Sequence, residues 1–321
     1  DRSPSRGLGD VYKRQMKIMV FDVGGTEIKY SVMDEQMHRT DSGAVPTPQD
    51  TQVQFLDAVY RLYAPHKDEV SGIAMALPGF VDNRTGYVSN GGALLYNTAT
   101  PVGQLLAEKC GCPVILENDG KAAAMAELAN GALKDCCNAA VFIIGTGVGG
   151  GIIANGQLVR GVHFTAGEYS FVNTNAEAWD APDQNMACQC STSNLLKWYR
   201  ARKALPEDAP LDGRSFFAAA NAGEPEALEV LRRFCHAVAV QIYNLTVLLD
   251  VEKVAIGGGI SKQPLLLESL RSAYNGLYAS RAGQAYMEGL PRCQIVPCAF
   301  SSEANQVGVA AAYFEAMQKK R

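Results

Sequence analysis

Residues 17–36 read KIMVFDVGGTEIKYSVMDEQ, and residues 139–161 read AAVFIIGTGVGGGIIANGQLVRG. Each segment is an apolar, strand-like run that enters a glycine turn and leaves it as a second strand-like run. The two copies lie about 120 residues apart, which is too long for a solenoid repeat. The second copy also contains Asn155-Gly156, the strongest short signal for a β-hairpin. The pattern predicts a chain built from two related halves.

Strand-like and helix-like segments alternate along the rest of the chain. Helices are predicted at residues 51–63, 121–133, 226–249 and 304–317, and further strands at residues 72–76, 113–116 and 253–256. Residues 173–193 are polar and irregular and are predicted to form a loop with an insertion. Alternation of this kind is typical of an α/β fold.

The composition of the chain argues against several classes of function and location. The chain has 321 residues, 47% hydrophobic, with a net charge of −4, which gives no attraction for nucleic acid or an anionic membrane. No signal peptide and no apolar run of about 18 residues is visible. Nine scattered cysteines favour a reducing compartment, and the expected location is the cytoplasm. Residues 1–15 are interpreted as a non-native or disordered leader.

Three glycine turns follow strand-like runs, at Gly24-Gly25-Thr26, at Gly145 to Gly151 and at Gly257 to Gly259. A phosphate chain needs backbone N–H donors that approach closely, and a Cβ atom obstructs that approach. A single glycine turn is weak support, since glycine also makes ordinary tight turns. Three together favour a nucleotide-binding protein.

The segment Gly145-x-Gly147-x-x-Gly150 formally matches the dinucleotide-binding fingerprint, and Glu168 lies near the distance at which a ribose-binding acid is sought. That fingerprint must open a helix, whereas here the glycines lead into a predicted β-hairpin. The context argues against a dehydrogenase.

Three acids follow strands or turns. Asp22 stands beside the first glycine turn, where it either holds Mg²⁺ through water or caps its own turn. Asp119 lies where a strand passes into a helix. It is either the base that takes the proton of a hydroxyl group or the N-cap of that helix. Its neighbour Asn118 suits sugar hydroxyls. Glu168 either accepts from vicinal hydroxyls or is a solvated loop residue.

Six motifs occur in order from Met16 onward: FDVGGT, ALPGFVD, LENDGKAAAMAE, IGTGVGGGII, AGE and VAIGGGIS. In this order and spacing they resemble the ROK family of sugar kinases and sugar-responsive repressors. The resemblance implies a duplicated, two-domain, actin-like (ribonuclease H-like) ATPase fold with ATP in the cleft. It also implies phosphorylation of a hexose or hexose derivative, with Mg²⁺, often by a homodimer.

Matched motif by motif, the resemblance implies a role for each candidate residue. Asp119 matches the catalytic base, and Asp22 the acid associated with the metal. Sugar ligands or walls match Gly79, Asn118 and Glu168. The first phosphate loop matches Gly24, Gly25 and Thr26, the second Gly145, Thr146 and Gly147, and the nucleoside side Gly257, Gly258 and Gly259. One domain is expected to span residues 16–117, completed by a helix at about 304–321, and the other residues 118–303.

The sequence departs from the family pattern at its zinc site. Many members place a histidine three residues after the AGE glutamate and a CxCGxxGCxE run later, but here these positions are Phe171 and a run from Cys188 to Lys197 that reads CQCSTSNLLK. Two thiolates cannot close a four-ligand site, so no structural zinc is predicted. Because Phe171 and Lys197 replace usual sugar contacts, a different sugar pocket is expected, similar to that of the β-glucoside kinase branch.

The sequence therefore predicts an enzyme that transfers the γ-phosphoryl group of ATP to a hydroxyl, with the 6-hydroxyl favoured, of a hexose, hexose derivative or β-glucoside. The alternative is a non-catalytic sugar sensor or repressor of the same family. A repressor needs a helix-turn-helix segment, and fifteen residues precede Met16. The presence of Asp22, Asp119 and the glycine turns favours catalysis.

Overall fold

The computed structural model of the protein describes residues 16–281 and 283–318. The leader predicted at residues 1–15 and the last three residues of the terminal segment lie outside the described residues. Within them, the fold consists of two five-stranded sheets with helices between and around them.

The first sheet has the strand order β3-β2-β1-β4-β7. Strands β1, β2 and β3 form an antiparallel meander, and β4 and β7 continue the sheet parallel to β1. Their bounds are β1 Lys17–Val23, β2 Glu27–Asp34, β3 Arg39–Pro46, β4 Ile73–Leu77 and β7 Val114–Asn118. A separate hairpin, β5 Phe80–Asp82 and β6 Tyr87–Asn90, follows β4.

The second sheet has the order β10-β9-β8-β11-β12, and its pairings repeat those of the first: three antiparallel strands, then two parallel ones. Its strands are β8 Ala139–Ile144, β9 Val148–Ala154, β10 Gln157–Val159, β11 Lys253–Gly257 and β12 Gln294–Pro297. Because the order and directions match strand for strand, the predicted relationship between the halves is confirmed, and with it the α/β class.

Two helices occupy the space between the sheets, α3 Asp119–Asn130 and α9 Ala304–Gln318. Helix α9 packs on β1 and β4, while α3 packs on β8 and β9. The two helices cross so closely that a Cβ atom at Gly308 would lie 1.7 Å from the Ala122 carbonyl oxygen. The terminal helix is therefore packed against the first sheet, although the division of the chain at residue 117 stays a prediction.

The remaining helices cover the outer faces. On the first sheet lie α1 Gln52–Tyr63 and α2 Val102–Cys110, and on the second lie α5 Thr192–Arg202, α6 Gly213–Asn221, α7 Pro225–Leu249 and α8 Pro264–Ala279, with the short α4 Met186–Gln189 nearby. In α7, buried Leu231, Phe234 and Val238 recur at spacings of three and four, which is why this long helix was predictable.

Several predicted boundaries are wrong. The helix placed at residues 121–133 begins at Asp119 and ends at Asn130, and the strand placed at 113–116 runs on to Asn118. The loop predicted at residues 173–193 contains α4 and the first two residues of α5. Across the described residues, no helix has both the length and the apolar character needed to cross a bilayer.

Candidate active site

Residues that follow β4 and β7 meet the β8–β9 turn around a cavity of about 420 Å³, here called the Asp119 cavity. Its lining includes the four residues predicted on the sugar side, together with Phe171 and two glycines of the predicted second phosphate loop: Gly79, Asn118, Asp119 and Glu168, then Gly145 and Gly147. The hypothesis required Asp119 to lie close to the glycine turns. The structure brings Asp119 together with the second of them.

A second cavity of about 630 Å³, here called the Asp22 cavity, is lined by Asp22, by Gly257 to Gly259 and by the segment 297–302. Ile143 and Asn305 line both cavities, so the two adjoin. The glycines after β11 and the carboxylate after β7 thus face one continuous cleft between the halves.

Four residues predicted to hold phosphates are not among the lining of either cavity: Gly24, Gly25, Thr26 and Thr146. The backbone N–H of Gly24 donates to the Glu27 carbonyl oxygen at 2.9 Å and closes the β1–β2 turn. That amide is therefore occupied, and the phosphate role of the first turn stays a prediction.

At two positions in the cleft the backbone conformation requires glycine. Gly258 has a φ of 94°, and a Cβ atom there would lie 2.0 Å from the Ile144 carbonyl oxygen. Gly79 has a φ of 93°, with the same clash against the Asn90 carbonyl oxygen. At Gly145 and Gly259, by contrast, a Cβ atom would meet nothing within 4 Å and would project into open space. These glycines leave room for a phosphate chain near the backbone.

Asp119 is the first residue of α3, directly after β7. Its Oδ1 accepts from the Gly120 backbone N–H at 2.7 Å. The proposed N-cap role is wrong for Asp119, because Asn118 performs it: Asn118 Oδ1 accepts from the Lys121 backbone N–H at 3.0 Å. The Asp119 carboxylate is consequently not committed to capping and remains open to the cavity.

Burial raises the pKa of the Asp119 carboxyl to about 6. The Gly120 hydrogen bond lowers it, the charges of Asp22 and Glu168 raise it, and that of Lys121 lowers it. A carboxylate with a pKa just below neutral pH is ionised at pH 7 and is a stronger base than an exposed aspartate.

Asn118 is more constrained than the sequence suggested. Besides capping α3, its Nδ2 donates to the Gly79 carbonyl oxygen at 2.9 Å. The side chain therefore ties the base-bearing turn to the loop after β4. One amide hydrogen and part of the carbonyl capacity remain for a hydroxyl.

Asp22 lies at the end of β1 and faces the cavity named after it. Asn305, from the start of α9, donates through Nδ2 to Asp22 Oδ1 at 2.9 Å. Burial raises the pKa of Asp22, and the Asn305 hydrogen bond and the charge of Lys29 lower it. Lys29 is directly opposite Asp22 in the β1–β2 ladder and lines the same cavity. Neither Asn305 nor Lys29 was identified from the sequence. Of the two, only Lys29, five residues after Gly24, lies near a glycine motif.

Glu168 is not a solvated loop residue. Its Oε1 accepts from Lys121 Nζ at 2.6 Å, and the Lys121 side chain is 1% exposed while that of Glu168 is 21% exposed. Sequence analysis missed Lys121. The sequence did contain one indication of its role. Lys121 is a single lysine at the start of an alanine-rich helix, and the alanines that follow it are typical of a buried face.

The two positions that depart from the family pattern differ in placement. Phe171 lines the Asp119 cavity, is 70% exposed, and meets Phe80 edge-on with ring centroids 5.8 Å apart. Lys197 lies on α5, is exposed and is not in the lining of that cavity. Among the described residues, no group of three or more His, Cys, Asp or Glu side chains could hold a metal ion.

The duplicated sheets and the cleft between them are those of the actin-like ATPases. In this cleft the Asp119 carboxylate lies next to the glycine-lined cavity. The sequence model of the ROK family matches residues 18–318. This chain belongs to the ROK family.

Individual relatives agree with this assignment. A β-glucoside kinase of Listeria innocua is 31% identical over 258 residues, covering 80% of this chain and 87% of that protein. A ROK family protein of Streptococcus pneumoniae, solved with sucrose, is 28% identical with a TM-score of 0.83 and covers 95% of this chain and 100% of that one. A ROK glucokinase of Streptomyces griseus, solved with glucose and AMPPNP, is 25% identical with a TM-score of 0.75 and covers 92% and 98%.

Proposed function

We infer that this protein is an ATP-dependent sugar kinase that acts on a hexose, a hexose derivative or a β-glucoside. One observation carries the inference: the Asp119 carboxylate opens into a cavity that adjoins the glycine-lined Asp22 cavity. A sugar bound beside Asp119 and a nucleotide bound along Gly257 to Gly259 would then meet end to end.

In this arrangement Asp119 takes the proton of the attacking hydroxyl as that oxygen bonds to the γ-phosphorus of ATP. The bond between the γ-phosphorus and the bridging oxygen breaks, and ADP leaves with its electron pair. We assign the hydroxyl to position 6, since a primary alcohol extends furthest from the ring and reaches a base at the end of the cavity. Asn118 and Glu168 hold the ring hydroxyls.

The residues fit a magnesium ion at Asp22. One oxygen of this carboxylate is held by Asn305, and the rest of the group faces the cavity, which suits a ligand that acts through water. A bound Mg²⁺ neutralises charge on the triphosphate. Lys29 adds a second positive charge on the same wall.

The choice between a simple hexose and a glycoside is set by the entrance to the Asp119 cavity. Phe80 and Phe171 place two aromatic rings there, and Phe171 is largely exposed. An exposed aromatic ring at the mouth of a polar cavity suits the apolar face of a second ring. The named relatives include a β-glucoside kinase, which supports glycosides as substrates.

A sugar-dependent ATP-consumption assay tests the proposal. The panel comprises glucose, N-acetylated hexosamines, fructose, allose and cellobiose-type glycosides. Turnover with at least one of them is expected. Absence of turnover with all of them, together with sugar binding by calorimetry, would instead support the non-catalytic sensor.

We propose that the protein is a cytoplasmic homodimer without structural zinc. All nine cysteines are free. An apolar groove of about 520 Å³ lies beside the end of α7, where Leu248 is 77% exposed, and a second copy would cover it. Analytical ultracentrifugation of wild type and Leu248→Asp checks the dimer, which the variant should weaken. Metal analysis of protein purified without chelators should give zinc well below one equivalent.

A further inference from the structure

Lys121 is a buried lysine in an enzyme site. Among the described residues, the Glu168 carboxylate is the one hydrogen-bond acceptor of its ammonium group, at 2.6 Å. A lysine that is enclosed to this extent is rarely tolerated unless it is paired. Glu168 therefore compensates the buried charge of Lys121, and Lys121 in turn restricts the position of the Glu168 carboxylate.

The partner of Lys121 reaches the Asp119 cavity. Glu168 lines that cavity, its Oε1 is taken by Lys121, and Oε2 accepts no hydrogen bond from the described residues. One carboxylate oxygen is thus anchored to the buried lysine, which leaves the other for a ligand, although Glu168 also lines the apolar groove beside the end of α7. That is the arrangement expected of a group that receives hydroxyl hydrogens in a fixed direction.

Close glycine contacts hold the elements that carry the pair. A Cβ atom at Gly120 would lie 2.5 Å from the Gly150 backbone nitrogen, and one at Gly167 would lie 3.3 Å from the Gly151 Cα. Helix α3 and the loop that carries Glu168 therefore both pack directly on β9. The lysine side chain bridges the two across this strand, so its position fixes the carboxylate relative to Asp119.

We propose that Lys121 is a positioning residue for the sugar, which acts by holding the Glu168 side chain in place and oriented toward the hydroxyls of the substrate. The proposal rests on the inferred sugar kinase function. It assigns to Lys121 no contact with the nucleotide and no part in the proton transfer.

A double-mutant cycle of Lys121→Met, Glu168→Gln and the double variant tests the proposal, with the sugar KM, the ATP KM and kcat measured for each. Lys121→Met should raise the sugar KM about 10- to 100-fold, the loss expected for one charged hydrogen bond. The ATP KM should stay within about twofold, and the double variant should lose no more than about threefold beyond the worse single variant. Lys134→Met, an exposed lysine just after α3, is the matched control and should behave as wild type.

Two results overturn the proposal: a sugar KM unchanged in Lys121→Met, or losses in the double variant that multiply as for independent residues. If Lys121→Met fails to fold, Lys121→Gln replaces it, because its amide still donates to Glu168 without a charge, and an intermediate rise in sugar KM is expected.

Calorimetric sugar affinities for the same variants separate this proposal from the kinase function. Should wild type bind a sugar without turnover, the kinase function is wrong, while the affinity cycle still decides the role of Lys121. Should it bind no sugar in the panel, both are wrong.

Discussion

The two ends of α3 carry the same chemical group in opposite situations. At its N-terminal end, the Asp119 carboxylate accepts one backbone hydrogen bond, from the residue next to it, and faces a cavity. At its C-terminal end, the buried Glu127 carboxylate accepts three backbone hydrogen bonds, from Ala132, Ala299 and Phe300, at 2.8, 3.0 and 2.9 Å.

The difference separates a reactive group from a structural one. Glu127 uses its charge to fix the segment 297–302, which lines the Asp22 cavity. Asp119 has few donors to stabilise its charge, so the charge costs free energy and the carboxylate binds a proton more readily. Burial alone does not mark the functional carboxylate, since Glu127 is the more buried of the two. The two carboxylates differ instead in the number of hydrogen bonds that they accept, one for Asp119 and three for Glu127.

The largest effect is expected at the reactive end. Asp119→Asn removes the base, and kcat should fall by about 10²- to 10⁴-fold. The sugar dissociation constant should stay within about threefold, because an amide still accepts a hydrogen bond. Asp135→Asn, an exposed aspartate shortly after the same helix, serves as control. Equal losses in affinity and rate would show that Asp119 acts in structure or binding.

The structural end should respond in stability. Glu127→Gln turns one acceptor into a donor that faces backbone N–H groups, so the free energy of unfolding should fall by about 2–4 kcal/mol. Urea denaturation measures this loss, with exposed Glu268→Gln on α8 as control, expected within about 0.5 kcal/mol of wild type. A variant as stable as wild type would remove the distinction between the two ends.

Asp119→Asn should also stabilise the protein, in a manner that depends on pH. Since the pKa of Asp119 is about 6 when folded against an ordinary value of 3.8, its ionised form opposes folding above pH 6. At pH 8 the variant should gain about 1–3 kcal/mol of unfolding free energy, and the gain should shrink toward pH 4. In the wild type, kcat/KM should fall about tenfold per pH unit below pH 6. A stability gain that does not vary with pH would contradict this account of Asp119.

The smallest effect is expected at the entrance to the Asp119 cavity. Phe171→Ala should lower kcat/KM for β-glucosides about 3- to 10-fold, the scale of one aromatic contact, and leave glucose within about twofold. Trp179→Ala removes another exposed aromatic, outside both cavity linings, and should change neither. Equal losses for glucose and glycosides would show that Phe171 does not select the substrate.

The sequence allowed the prediction of what depends on local pattern. The paired strands around Gly24 and Gly145, the hairpin at Asn155-Gly156 and helix α7 are confirmed, because turn chemistry and apolar spacing are local. Placing Asp119 beside the second glycine turn required the motif order as well.

What could not be predicted depends on contacts between distant segments. Asn305 meets Asp22 across 283 residues, and Lys121 meets Glu168 across 47. No spacing rule reaches that far. Capping was considered as the alternative role of Asp119 and not of Asn118, because a one-residue shift of the helix start exchanges the two and both residue types cap well.

Identification of the product tests the central claim most directly. Wild type and Asp119→Asn, incubated with ATP, Mg²⁺ and the sugar that gives the highest turnover, would be followed by ³¹P NMR. We predict a phosphate monoester on the sugar, coupled to the 6-position protons, formed by the wild type and not detectably by the variant over the same period. Inorganic phosphate as the only product, or sugar phosphate formed equally fast by the variant, would contradict a phosphoryl transfer in which Asp119 is the base.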